Sequence, residues 1–134
     1  MIYSQEVLYH FTNPCNVYSM EDADAVGIIG DPDCGDALKM FIKVKDNRIE
    51  EISYLVYGCC AAIATSSMTT ELAKGKTLEE AFSITEEDIA SALGGLPAHK
   101  MHCSNLGVSA LREAITIYRM TQEQKISLKD TINL

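Results

Sequence analysis

With 134 residues and 47% apolar content, the chain is sized for one domain around one modest core, and no apolar run is long enough to span a membrane. Eleven basic residues against nineteen acidic ones leave a formal charge of -8. That charge argues against a nucleic-acid partner and favours a basic protein partner or simple solubility. Residues 1–6 show neither the basic nor the apolar region of a signal peptide, so a cytoplasmic location is expected. In that reducing setting the five cysteines are better explained by metal binding or thiol reactivity than by disulfides.

In chain order, Ser4 to Phe11 predicts a short helix with Ser4 as N-cap and Val7, Leu8 and Phe11 on its apolar face, ended by Asn13-Pro14. His10, with no neighbouring partner in sequence, reads as an exposed or partly packed side chain, and Cys15 has no assigned role. Met20 to Ala25 is acidic and irregular, and Val26 to Gly30 is a short strand weakened by glycine. From Lys39 to Lys45 the pattern alternates, with Met40, Ile42 and Val44 on one face, which is the signature of a half-buried strand. Asp46-Asn47 supplies a turn tolerant of positive φ, and Arg48 to Tyr57 is the returning strand. Ile49 and Ile52 fall on opposite alternation sets, which places a bulge near Glu50-Glu51.

Beyond Gly58 the period becomes helical, with Ala61, Ala64, Thr65, Met68 and Leu72 on one face and Gly75 as C-cap. Thr77/Glu80 and Thr85/Asp88 are capping boxes for two short helices ending near Phe82 and Leu93. Gly94 to Pro97 is a loop. The last helix starts near Cys103 or Ser104, carries Gly107, Leu111, Ala114 and Tyr118 on one stripe, and gives way from Gln122 to a weakly patterned tail.

The chemistry lies in three stretches: Cys34-Gly35-Asp36, Gly58-Cys59-Cys60 and Lys100-Met101-His102-Cys103. If Asp46-Asn47 is a two-residue loop, Lys45 pairs with Arg48, and the same register carried outward sets Cys34 opposite Cys59. A bulge shifts that register by one residue but keeps both cysteines at one end of the hairpin. Asp36, two residues from Cys34, can point to the same side. Cys59 and Cys60 open a helix, where the dipole favours a thiolate. Lys100 would similarly help hold Cys103 as thiolate. Soft thiolates with an imidazole and a carboxylate suit zinc or iron-sulfur chemistry. A structural zinc site usually shows C-x2-C pairs, which are absent, and a cysteine hydrolase would leave the remaining cysteines unexplained.

These stretches and their spacing resemble the IscU/NifU family of iron-sulfur cluster assembly scaffolds, from about Tyr3 to about Tyr118. The matching marks are Tyr3-Ser4 with His10 and Asn13-Pro14, Gly30-Asp-Pro-Asp-Cys34-Gly35-Asp36, Tyr57-Gly58-Cys59, Ala62-Ile63-Ala64-Thr65-Ser66-Ser67, and Leu96-Pro97-Ala98-His99-Lys100-Met101-His102-Cys103. The resemblance implies an α+β, SufE/NifU-like fold. A small antiparallel sheet of about three strands packs against several helices, with the metal site at one end of the sheet. It implies a stand-alone scaffold domain over residues 1–120 and a loosely ordered tail over 121–134.

The resemblance also implies a function: assembly of a [2Fe-2S] cluster from iron and desulfurase-derived sulfur, and its transfer to apoproteins, by a scaffold rather than a turnover enzyme. Cys34, Asp36, Cys59, His102 and Cys103 are the implied metal ligands. Cys103 is the implied sulfur acceptor, with Lys100 supporting its thiolate. The implied cargo is a [2Fe-2S] cluster or iron, with zinc at the same site as an alternative. The implied partners are a cysteine desulfurase, recipient apoproteins, an Hsp70-type chaperone and a second copy of the chain. The chaperone segment, typically Leu-Pro-Pro-Val-Lys, reads Leu96-Pro97-Ala98-His99-Lys100 here, so two positions depart from the pattern. Cys60 stands where glycine is usual, as a bystander thiol or a participant in sulfur relay. The alternative function is that of a SufU-like zinc-dependent sulfurtransferase. That relative carries an insertion between the second and third cysteine motifs and lacks the histidine before the last cysteine; neither departure is present.

Overall fold

The computed structural model describes residues 3–31, 36–97 and 100–132, with the backbone alone for Asp31, 101–104 and 127–132. The order of elements is α1 (Gln5–Thr12), β1 (Ala25–Asp31), β2 (Asp36–Lys45), β3 (Arg48–Tyr57), α2 (Cys60–Ala73), α3 (Leu78–Phe82), α4 (Glu86–Ala92) and α5 (Met101–Ile132). The strands form one antiparallel sheet in the order β1-β2-β3, giving the expected α+β architecture. No helix among the described residues is long and apolar enough to cross a membrane.

The β2–β3 hairpin turns through Asp46 and Asn47 at φ 53° and 63°, the left-handed pair that a two-residue turn needs to match strand twist. Lys45 pairs with Arg48 and Val44 with Ile49, but Lys43 pairs with Glu51, so Glu50 is the bulged residue where the broken alternation placed one. Leu38, Met40 and Ile42 of β2 and Ile49, Ile52 and Tyr54 of β3 are almost wholly buried. Burying one such side chain contributes roughly 1.5–3 kcal/mol, so this hairpin is the main apolar wall of the core.

Against the sheet lie α5, over β1 and β2, and α2, over β3. At Gly27 a Cβ would stand 2.3 Å from the Ala110 carbonyl oxygen and 2.7 Å from the Ala114 nitrogen. The glycine that weakens β1 as a strand is therefore what lets the α5 backbone ride on it. Both capping boxes form: Thr77 with Glu80 on α3, and Thr85 with Asp88 on α4.

Four features differ from the sequence expectation. On α1, Leu8 and Phe11 are exposed, and Val7 is the member of the expected apolar face that is buried. Helix α2 is buried on more than the expected stripe, since Ala62, Ser66, Ser67, Thr69 and Thr70 are also enclosed. It can be, because the hydroxyls of Thr65, Ser66, Thr69 and Thr70 donate to carbonyls three or four residues back in the same helix, so their burial leaves no orphan donor. His10 is buried rather than exposed, with Nδ1 2.7 Å from the Ser67 hydroxyl. The segment from Thr121, expected to be a loose tail, continues α5 through Ile132. No glycine or proline follows Gly107 to stop the helix, and the exposed Glu123 to Ile126 show that it runs on past the core.

Candidate functional site

The end of the sheet opposite the hairpin turn gathers the sequence-predicted chemistry. Because of the bulge, Ala37 pairs with Tyr57, and one further step sets Asp36 opposite Gly58. A Cβ on Gly58 would lie 2.6 Å from Asp36 Oδ1, so the carboxylate rests directly against this glycine. Among the described residues the carboxylate makes no hydrogen bond or ion pair.

Cys59 is the N-cap of α2, in extended conformation at φ -81° and ψ 177°, and its carbonyl accepts from the Ile63 amide. Its position follows from the sequence: β3 ends at Tyr57, Gly58 makes the bend, and the run of small residues from Cys60 starts the helix. The Lys100 ammonium reaches across from the turn before α5 and donates to Cys59 Sγ at 3.7 Å. Ammonium and helix N-terminus both favour thiolate over thiol at this sulfur. Cys60 begins the helix proper and packs partly against the core. Burial pushes its thiol up, the neighbouring Cys59 adds to that shift and Lys100 opposes it.

Asp36, Cys59 and Lys100, from three separate stretches, are thus brought together at one end of the sheet. His102 and Cys103 lie in the first turn of α5, immediately after Lys100, but their side chains are outside the described residues. Cys34, Ala98 and His99 are outside them altogether. Among the described residues no cluster of three metal-ligating side chains is present, as expected when three of the five predicted ligands are not among them. Lys100 donates to Cys59, and the expected support of the Cys103 thiolate by Lys100 lies outside the described residues. Of the chaperone-type segment, Leu96 and Pro97 are half-buried and line a cleft with Tyr3, Ser4, Gly94 and Gly95. Ser4 fastens this region by capping α1 through the Val7 amide while its hydroxyl donates to the Leu93 carbonyl.

A second polar node lies about two turns along α2. Ser67 Oγ accepts the Cys15 amide at 2.9 Å and bonds His10 Nδ1, tying α1, the following loop and α2 together. Burial pushes the Cys15 thiol up, with Glu71 adding and Ser67 opposing.

The sequence pattern described as NifU-like N terminal domain matches residues 2–125, nearly the whole chain. The chain belongs to this family. It is 62% identical over 117 residues to the iron-sulfur cluster assembly scaffold protein IscU 1 of Archaeoglobus fulgidus, covering 87% of this chain and 76% of that protein. It is 45% identical over 129 residues to the protein of the same description, IscU, from Escherichia coli K12, covering 93% of this chain and all of that one. The solved N-terminal part of a nitrogen-fixing NifU-like protein from Brucella abortus superposes with a TM-score of 0.68. That match has 16% identity and covers 87% of this chain and 93% of that one, a likeness of fold.

Two features escaped the sequence reading. Gly58 reads as a strand-to-helix bend, and its contact with Asp36 appears only once the bulged register is known. The His10–Ser67 bond joins residues 57 positions apart, and no local pattern signals it.

Proposed function

We propose that this chain is a scaffold on which iron and sulfur are assembled into a [2Fe-2S] cluster, held as cargo and passed to recipient apoproteins. The observation that carries the reading is the meeting of Asp36, Cys59 and Lys100 at one end of the sheet, in a chain 62% identical to a protein described as an IscU scaffold. The donor set suits the cargo: thiolates of Cys34, Cys59 and Cys103 hold iron, and Asp36 or His102 supplies the fourth ligand. An oxygen or imidazole ligand binds iron less firmly than a fourth thiolate, which gives the cluster an exchangeable corner for transfer. In this scheme Asp36→Ala slows cluster release to an acceptor.

Sulfur arrives from a cysteine desulfurase. The Cys103 thiolate attacks the terminal sulfur of the donor's persulfide, a new S–S bond forms, and the donor cysteine leaves as thiolate. Reduction of that sulfur to sulfide takes two electrons from an external reductant. Lys100, with its charge on Cys59, keeps a second thiolate ready for iron. The chain acts as acceptor and carrier rather than as a turnover enzyme, in the cytoplasm.

The test is anaerobic reconstitution with iron, cysteine and a desulfurase, followed by transfer to an apo-ferredoxin. The reading predicts a cluster formed on the scaffold and then appearing in the ferredoxin. Tight zinc binding with no cluster formed would favour the SufU-like sulfurtransferase instead.

A further inference from the structure

Gly58 is exposed and is not among the glycines of positive φ, so φ itself does not bar a side chain there. What a side chain would lack is room. A Cβ there would stand 2.6 Å from Asp36 Oδ1 and 2.9 Å from Ala62 Cβ, while ordinary contact begins at 3.4 Å. The Asp36 carboxylate makes no hydrogen bond or ion pair among the described residues, so nothing else described fixes where it points.

We propose that Gly58 is a positioning residue for the assembly site: its missing side chain is the seat that holds the Asp36 carboxylate one residue from Cys59. The inference rests on the reading of Asp36 as a ligand in that site. An alanine at position 58 leaves the β3–α2 bend intact and drives the carboxylate off its seat by about 1 Å, beyond the roughly 0.5 Å within which liganding groups must be held. Gly58 touches no cargo and acts only through Asp36. The effect of Gly58→Ala must therefore vanish when Asp36 is truncated.

Four proteins test this: the parent, Gly58→Ala, Asp36→Ala and the double variant. Their zinc(II) affinities are measured by competition with a chromophoric chelator, and the side-chain carboxyl 13C signal of Asp36 is recorded without metal at pH 7. Gly58→Ala is expected to weaken zinc about 10-fold when Asp36 is present, the lower end of the loss seen when a supporting group is removed. In the Asp36→Ala background the loss should stay within about twofold, because the group that Gly58 positions is gone. The Asp36 carboxyl signal should move in Gly58→Ala more than that of any other carboxyl. Equal losses in the two backgrounds, no loss in either, or an unmoved Asp36 signal would overturn the proposal. If Asp36→Ala alone leaves zinc affinity unchanged, Asp36 is not a ligand and the site reading fails; the carboxyl signal then judges the seat by itself. Gly58→Ala combined with Ala62→Gly relieves the second contact and serves if the single variant unfolds.

Discussion

Replacing Lys100 by Met keeps most of the side-chain stem and removes the charge that stands 3.7 Å from Cys59 Sγ. Two unit charges at that separation attract by about 1 kcal/mol in water and by about 4 kcal/mol at an effective dielectric of 20. Both residues are only partly buried, so the lower part of that range applies, roughly 1–2 kcal/mol. The sign is fixed: the ammonium favours the thiolate, so its loss raises the pH at which Cys59 ionises. Alkylation by iodoacetamide, followed residue by residue with peptide mass spectrometry in a Cys60→Ala background, reads the thiolate fraction directly. Lys100→Met should slow modification of Cys59 about fivefold to tenfold at pH 7 and move its pH profile upward. Modification of Cys15, tied to the distant Ser67 node, should not change. An unchanged Cys59 profile, or an equal slowing at Cys15, would refute the assignment of Lys100 to Cys59.

Other expectations concern the frame around the site. Ser67→Ala should cost about 2–3 kcal/mol in urea unfolding because it strands both His10 Nδ1 and the Cys15 amide, whereas Ser66→Ala should cost under about 1 kcal/mol, its hydroxyl bonding, among the described residues, the Ala62 carbonyl of its own helix. Equal costs would contradict the role of Ser67 as a tie between elements. Burial pushes the Tyr54 hydroxyl up to about 12, above the ordinary tyrosine range near 10, so in alkali the unfolded chain gives up this proton first and stability falls as pH rises from about 10 to 12. Tyr54→Phe should flatten that fall; it should also leave the protein no less stable at pH 7, since the nearby Ser67 is committed elsewhere and the Tyr54 hydroxyl is buried without a hydrogen bond. Ile126→Ala should cost under about 0.5 kcal/mol by urea unfolding, since Ile126 is exposed on α5. A loss of several kcal/mol would show that the end of α5 packs on the core.

Most of the frame was legible because local rules write it. Alternation at Met40 and Ile42, the Asp46-Asn47 turn and the two capping boxes each depend on residues within a few positions, and each appears in the structure. Even the bulge at Glu50 showed as a break in alternation between Ile49 and Ile52. What the bulge does to the far end was less legible: it shifts the register so that Asp36 meets Gly58. The burial of His10 and the enclosure of α2 depend on partners far away in sequence, where no period carries information. The extension of α5 shows the converse case. A polar, weakly patterned stretch reads as loose, yet a helix already nucleated by packing propagates through it at little cost. The site was legible as chemistry in three stretches, and the structure joins two of them with Lys100 of the third.

The scaffold reading is tested most directly by Mössbauer spectroscopy of the 57Fe-reconstituted protein, prepared anaerobically with a desulfurase as sulfur source. A diamagnetic pair of ferric sites with sulfur-dominated coordination, lost when Cys59 is replaced by Ala, is the result expected of a [2Fe-2S] cluster built on this site. Iron that stays high-spin and mononuclear, or a spectrum unchanged by Cys59→Ala, would contradict it.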